Sequence, residues 1–476
     1  MKKLIALLLA LVMVCGMVAC GGGGEDEPSV APTAPPTSGT QPTEPKGEPV
    51  YIAENAKEIT GTVKYYSAFS LTQGVQAMID EFNKHYPNIT IEATVYKNSD
   101  EGNLGLDTAL MAGGQVDVFQ SYGIHNTSAR WENNMVWDLT DLMAKDNLDL
   151  VKEWGTDTYV YNGRIYCFPS GGLKCYIAIN MKAWEEAGLG EYPTLEKGWT
   201  WDEYIEACRK LTKRDENGKT VVYGGGDYNS TEYWTYPLRQ SKGTNFYYDM
   251  TDGLSDFDNP LFAKVLQREL DCAAEGIWYP KAKYKADKTK SRDMFLQGVV
   301  ATSVESIVTR YMVAKEPSEI GFKTYYAPYP VNAAGEVNYM TSAHNNSFVM
   351  ISKKTENIDA AYAWAKWVAT YGNKYMFAAG HAAMWTGTNA EDVVDVVFGS
   401  KERAETYVDV DSFIENSVSI GGPFYKEDYI PAYNVIHGEI MDEIVPLVFD
   451  GTYTVADAIA EMKELADEAI KEALKK

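Results

Sequence analysis

The sequence predicts an α/β protein of two domains, the first built on a parallel sheet. Three observations carry this. Residues 59–96 read strand, helix, strand. Short apolar strands followed by helical patterns return later, at Val116–Gln120, Ile177–Asn180 and Phe348–Lys353. A chain of 476 residues also exceeds what one ordinary hydrophobic core organises.

The elements follow in order. Lys2-Lys3 precedes an apolar run, Leu4–Ala19, with the charge and length of a signal peptide rather than a membrane span. The run closes on Met17-Val18-Ala19-Cys20-Gly21. Small residues before a cysteine resemble a bacterial lipobox, which implies a signal peptide over 1–20 and a lipid on Cys20. Met17 stands where that pattern prefers Leu, and ordinary secretion is the alternative. Residues 21–58 are rich in Gly, Pro, Thr and Glu. They bury too little surface to offset ordering entropy and read as a flexible tether. No later stretch is long and apolar enough to span a bilayer, so lipid is the expected anchor.

In the opening unit Val63 and Tyr65 alternate with polar neighbours, as a half-buried strand requires. Val75, Met78, Ile79 and Phe82 then share one helical face. Tyr86-Pro87-Asn88 stops that helix, because the residue before proline is pushed out of the α region. Ile89, Ile91, Ala93 and Val95 alternate again. Strand, helix, strand makes a right-handed crossover with parallel strands, and ligands of such sheets sit beyond the strands' carboxyl ends.

Further on, Leu104, Ala109, Leu110 and Met111 suggest a helix closed by Gly113-Gly114. Thr200-Trp-Asp-Glu203 is a capping box. Asp215-Glu-Asn-Gly218 is a hairpin turn rather than a calcium loop, since the glycine is misplaced for one. Residues 224–260 are loop-rich, and Asn259-Pro260 opens a helix. Val455, Ala458, Ile459, Met462 and Leu465 make one face of a last helix. Cys167, Cys175, Cys208 and Cys272 form no CxxC pair and are expected as free buried thiols.

Several separated segments resemble the extracellular solute-binding protein family 1, the sugar-capturing lipoproteins of ABC importers. They are Phe82–Glu92, Ala112–Phe119, Trp137–Leu142, Gly163–Pro169, Ile179-Asn180-Met181 and Trp199–Tyr204 with Lys210–Lys213, in the family's order. Phe295–Ser306 and Phe322–Pro330 resemble later pieces, whereas His344-Asn345-Asn346-Ser347 departs from the family's glycine-rich loop. The resemblance implies a two-lobed periplasmic-binding-protein-like fold of type II. Each lobe would be a mostly parallel sheet flanked by helices, with a hinge between. The first lobe would hold 59–173 and 328–371, the second 175–327 and 372–476.

The same resemblance implies capture of a mono- or oligosaccharide by hinge closure and delivery to permease subunits, by a monomer without cofactor or metal. Sugars present hydroxyl edges and apolar faces, so aromatic and planar polar side chains at strand ends are the candidates. The first lobe offers Tyr66, Ser67, Gln120 and Tyr122, with Asn345 and Asn346 opposite. The second offers Asp227, Tyr228, Trp234, Glu305 and Trp385, the last either a lid or core filler. The histidines His125, His344 and His381 are read as loop residues.

Composition narrows the alternatives. The formal net charge of -24 lacks the basic footprint that nucleic acid requires. The 33 Tyr and 11 Trp suit surfaces that stack and hydrogen-bond. No Gly-x-Ser-x-Gly, HExxH or GxxxxGK[ST] motif supports catalysis. Open alternatives are a peptide, polyamine or organic-anion ligand, a sugar-sensing subunit, and a secreted hydrolase.

Overall fold

The computed structural model describes residues 48–155, 160–226, 233–243, 246–304, 307–341, 344–419 and 430–475. Cys20, Asp227, Tyr228 and Glu305 lie outside the described residues. Two sheets organise the chain. Their strands are β1 (Gly61–Ser67), β2 (Ile89–Val95), β3 (Val118–Tyr122), β4 (Phe168–Leu173), β5 (Tyr176–Asn180), β6 (Thr302–Ser303), β7 (Thr324–Pro328) and β8 (His344–Ile351). The helices used below are α1 (Val75–His85), α2 (Asp100–Ala112), α3 (Ile124–Glu132), α4 (Trp201–Leu211), α5 (Tyr236–Lys242), α6 (Pro260–Ala274), α7 (Val308–Met312), α8 (Ile358–Ala369) and α9 (Val455–Ala473).

The first sheet runs β2-β1-β3-β8-β4. β1 is parallel to β2 and β3, while β8 is antiparallel to both its neighbours. The carboxyl ends of β1, β3 and β4 and the amino end of β8 therefore share one edge. The second sheet runs β6-β5-β7, and both outer strands are antiparallel to β5. The α/β class stands, but only the first sheet carries the expected parallel strands. The chain crosses between sheets at Lys174-Cys175 and returns after Pro328.

The predicted apolar face of α1 is buried as Val75, Met78, Ile79 and Phe82. Phe82 stacks on Tyr86 at 4.7 Å and meets Trp364 of α8 edge-on at 5.0 Å. Side chains of this size each contribute about 1.5–3 kcal/mol on full burial. β5 is buried on both sides: Tyr176 and Ala178 enter the first core, Ile177 and Ile179 the second. A third core gathers α6 and α9 with the helical stretch before α9. In α9 the innermost residues are Ala458, Met462, Ala466 and Ile470.

Local signals held where they were complete. Thr200 accepts from the Glu203 backbone NH, and Glu203 accepts from that of Thr200 at 2.7 Å. Residues Lys213–Arg214 and Thr220–Val222 pair across the predicted turn. Asn259 caps α6. All four cysteines of the body are buried thiols outside any disulfide. Other expectations gave way. α2 starts earlier than its apolar pattern because Ser99 caps it, and Leu104 and Met111 face solvent. The loop-rich stretch contains α5, whose first turn holds Pro237 and so hides the pattern.

Residues 48–58, expected within the tether, are strapped to the first core. The Val50 NH donates to the Asp146 carbonyl at 2.8 Å, and the Val50 carbonyl accepts from Lys366 at 2.8 Å. Lys366 is buried and paired with Asp146. The Ala53 NH donates to the Tyr86 hydroxyl at 2.9 Å, and Ala56 is buried. No helix among the described residues is long and apolar enough to cross a membrane.

Candidate functional site

The shared edge of the first sheet brings six predicted residues together: Tyr66, Ser67, Gln120, Tyr122, Asn345 and Asn346. Alternation along β1 and β3 turns Ser67, Gln120 and Tyr122 to one face. Gln120 Oε1 accepts from Ser67 Oγ at 2.6 Å and from the Tyr122 hydroxyl at 3.0 Å. Ser67 Oγ accepts from the Phe69 NH at 3.1 Å, and the Tyr122 hydroxyl accepts from the Ala68 NH at 3.2 Å. The network therefore holds the loop that leaves β1. Gln120 and Ser67 are buried; Tyr66 is half-buried and points to the other face. Burial pushes the Tyr122 hydroxyl well above its ordinary pKa, so it stays a donor.

An aromatic lip covers this network. The Phe69 ring lies 5.8 Å from Tyr122 and 4.9 Å from His381. His381 follows Gly380, whose φ of 87° is a left-handed helix end. His381 Nδ1 lies 3.4 Å from Ser347 Oγ. Register shifts around Ser347 bulge β8 there and re-aim its side chain. Burial, then the Arg310 charge, pushes His381 down to about 4, so the imidazole is neutral at pH 7.

The second sheet approaches through the turn after β6. A Cβ on Gly380 would lie 2.8 Å from Ile307 Cγ2. In α7, Thr309 Oγ1 shares a hydrogen bond of 2.7 Å with the Tyr326 hydroxyl of β7, which fixes the helix on the second sheet. The next two residues of α7 are Arg310 and Tyr311. Arg310 donates to the Ala379 carbonyl at 3.4 Å.

Lys174, in the crossing segment, is buried and donates to the Ser419 carbonyl at 2.5 Å and the Glu415 carbonyl at 3.4 Å. Burial pushes its pKa down to about 7, opposed by the Glu415 charge. Beside it lies a void of about 20 Å³ between Tyr176, Thr309, Phe377 and Phe413, room for about one water.

The remaining predicted residues divide. Trp234 is fully buried in the third core, 6.2 Å from Phe262, away from the edge that gathers the first-lobe candidates. Trp385 takes the core-filler role rather than the lid. Its indole donates to Glu153 at 3.0 Å and its ring meets Tyr51 and Tyr371, each at 5.1 Å. Asn345 and Asn346 are placed by the β8 backbone alone. The sequence put Phe69 on the lip at the end of β1, Tyr66-Ser67-Ala68-Phe69, but did not choose Ser347, His381, Arg310 or Lys174; for His381 the preceding glycine was a local signal.

Comparison with known proteins reaches the same architecture. The model for bacterial extracellular solute-binding proteins matches residues 68–375, well over half of the chain. The chain belongs to that family. An uncharacterised ABC transporter extracellular-binding protein of Pyrococcus horikoshii is 24% identical over 273 residues, a match spanning 56% of this chain and 56% of that relative. A sugar transporter structure from Rhizobium etli in an open conformation superposes with a TM-score of 0.68 at 17% identity, covering 87% of this chain and 99% of that one. An ABC substrate-binding protein from Listeria monocytogenes in complex with cycloalternan gives 0.63 at 18%, with 87% and 99% covered. This solute-binding protein thus has the two-sheet fold of the periplasmic sugar-binding proteins, and its family is extracellular by description.

Proposed function

We propose that the protein captures a carbohydrate between its two sheets, closes on it by hinge motion about the crossing segments, and delivers it to the membrane subunits of an ABC importer. The observation that carries this is the buried Ser67–Gln120–Tyr122 network beneath the Phe69, Tyr122 and His381 rings. Rings supply a platform for apolar sugar faces, and oriented polar groups read hydroxyls. The cycloalternan and sugar-transporter relatives support the ligand class. The two lobes would meet at 174–175 and after Pro328, with the candidate residues on the edge between. Closure needs no catalysis: ligand shifts an open–closed equilibrium. The lipid on Cys20 and the spacer before Glu48 would hold the body at the outer face of the membrane.

A thermal-shift screen of the purified protein against sugars, amino acids, peptides, polyamines and metals tests the reading. A ligand at about a hundredfold over its dissociation constant adds roughly 2.7 kcal/mol. A response confined to non-sugars overturns the carbohydrate, and turnover of a sugar overturns the receptor.

A further inference from the structure

We infer, resting on the carbohydrate reading above, that Tyr51 of the strap is a positioning residue for the solute site: through the buried Glu153 carboxylate and Trp385 it sets the turn that carries His381. One oxygen, Glu153 Oε2, accepts from the Tyr51 hydroxyl at 2.7 Å and from the Trp385 indole at 3.0 Å. Glu153 is 2% exposed, so these donors stand in for water around the carboxylate. Burial, then the bond to Glu153, raises the Tyr51 pKa and keeps its hydroxyl a donor. The rings reinforce the bonds: Tyr51 and Tyr371 each meet the Trp385 ring at 5.1 Å.

The turn is held at both ends. Ala382 exchanges two backbone hydrogen bonds with Gly172 of β4, at 2.8 and 2.9 Å. The Met384 NH donates to Asn373 Oδ1 at 2.7 Å. Beyond them the Trp385 indole and the Thr386 NH both end on Glu153, the NH on its carbonyl at 2.9 Å. Glu153 therefore fixes the far end of the turn, and Tyr51 fixes Glu153. A buried carboxylate that loses one donor must draw on the other or admit water, and either moves Trp385. His381 lies at the near end, against Phe69 and Ser347. The family match spans residues 68–375, so Tyr51, His381 and Trp385 are not part of the pattern it matches. By linkage, a solute that gains affinity from the strap tightens the strap equally.

Two readouts on the full-length protein test this. The first needs no solute: the NMR imidazole signals of His381, assigned among the five histidines by their loss in His381→Gln. Tyr51→Phe keeps the ring and removes the bond to Glu153. It is expected to shift those signals and raise the His381 midpoint from about 4 toward its ordinary 6.5, as a loosened turn admits water. The second is calorimetry with glucose, galactose, mannose, xylose and their di- and trisaccharides. A sugar that binds the unaltered protein is expected to bind Tyr51→Phe at least about fivefold more weakly. Glu153→Gln, whose amide still bonds both partners, keeps most of both properties. Met462→Ala, in the third core, measures instability alone: it lowers the melting temperature and leaves both readouts in place. An unmoved His381 or an unchanged sugar affinity in Tyr51→Phe overturns the positioning, and so does Met462→Ala moving both readouts equally. A displaced His381 in a protein that binds none of these sugars upholds the coupling and overturns the carbohydrate reading.

Discussion

Ser67 Oγ donates to Gln120 Oε1 at 2.6 Å and so ties together the carboxyl ends of two parallel strands. Gln120 Oε1 also accepts from Tyr122, whose hydroxyl in turn holds the backbone of Ala68. One buried amide thereby sets the shape of the loop that leads to Phe69.

Replacing that amide tests its weight. Gln120→Leu keeps the volume and leaves two buried hydroxyl donors without their acceptor. The expected loss is about 1–3 kcal/mol in urea unfolding. Ser67→Ala combined with Gln120→Leu should lose less than the sum of the two, because the second change removes a donor already orphaned.

Arg130 is the matching anchor on the other face of β3. It is buried, and it donates to Asp107 at 2.7 Å, Ser121 at 2.6 Å and Asn103 at 2.9 Å. Arg130→Met should destabilise by about 2–3 kcal/mol, below the range for fully buried pairs because Asp107 is partly exposed. The readout is the urea midpoint at unchanged slope.

His381 makes stability depend on pH. Its folded pKa of about 4 lies below its ordinary 6.5, so the unfolded chain takes up a proton first as pH falls. Stability is therefore lost between about pH 6.5 and 4, on the order of 1–3 kcal/mol, and levels off below. His381→Gln should flatten that window in melting curves taken across it.

Lys174 acts at higher pH. Its folded pKa of about 7 lies below its ordinary 10.5, so the folded protein releases a proton that the unfolded chain keeps. Stability should rise from about pH 7 to 10. Lys174→Met should remove that rise while sparing the acid window of His381.

The strap makes a boundary prediction. A chain beginning at residue 48 should melt like the longer protein, whereas one beginning at residue 60 should melt several degrees lower, about 4–8 °C per kcal/mol in a small domain and less in a large one. The loss comes from Tyr51 leaving Glu153, Ala56 leaving the core, and Lys366 losing the Val50 carbonyl.

The extent of legibility differs between fold and site. The α1 face, the capping box at Thr200 and the Asn259 cap are written in a few consecutive residues, and each appeared as read. The strap was not legible, since Glu48–Glu58 has the composition of a spacer and its partners Asp146, Glu153 and Lys366 lie far along the chain. Trp234 and Trp385 look alike as loop tryptophans; their partners Phe262, Glu153 and Tyr51 decide that both are packed.

By itself the sequence determined the strand–helix–strand opening and the caps, and it put Ser67, Gln120 and Tyr122 forward as candidates, because periodicity and strand ends are local properties. Only the tertiary structure decided that Gln120 is a buried acceptor, that Ser347 reaches His381, and that Arg310 comes to Ala379 from 69 residues away. The reason is physical: burial and hydrogen-bond partners depend on which distant segments the sheet register brings to one edge, and no local pattern encodes that register.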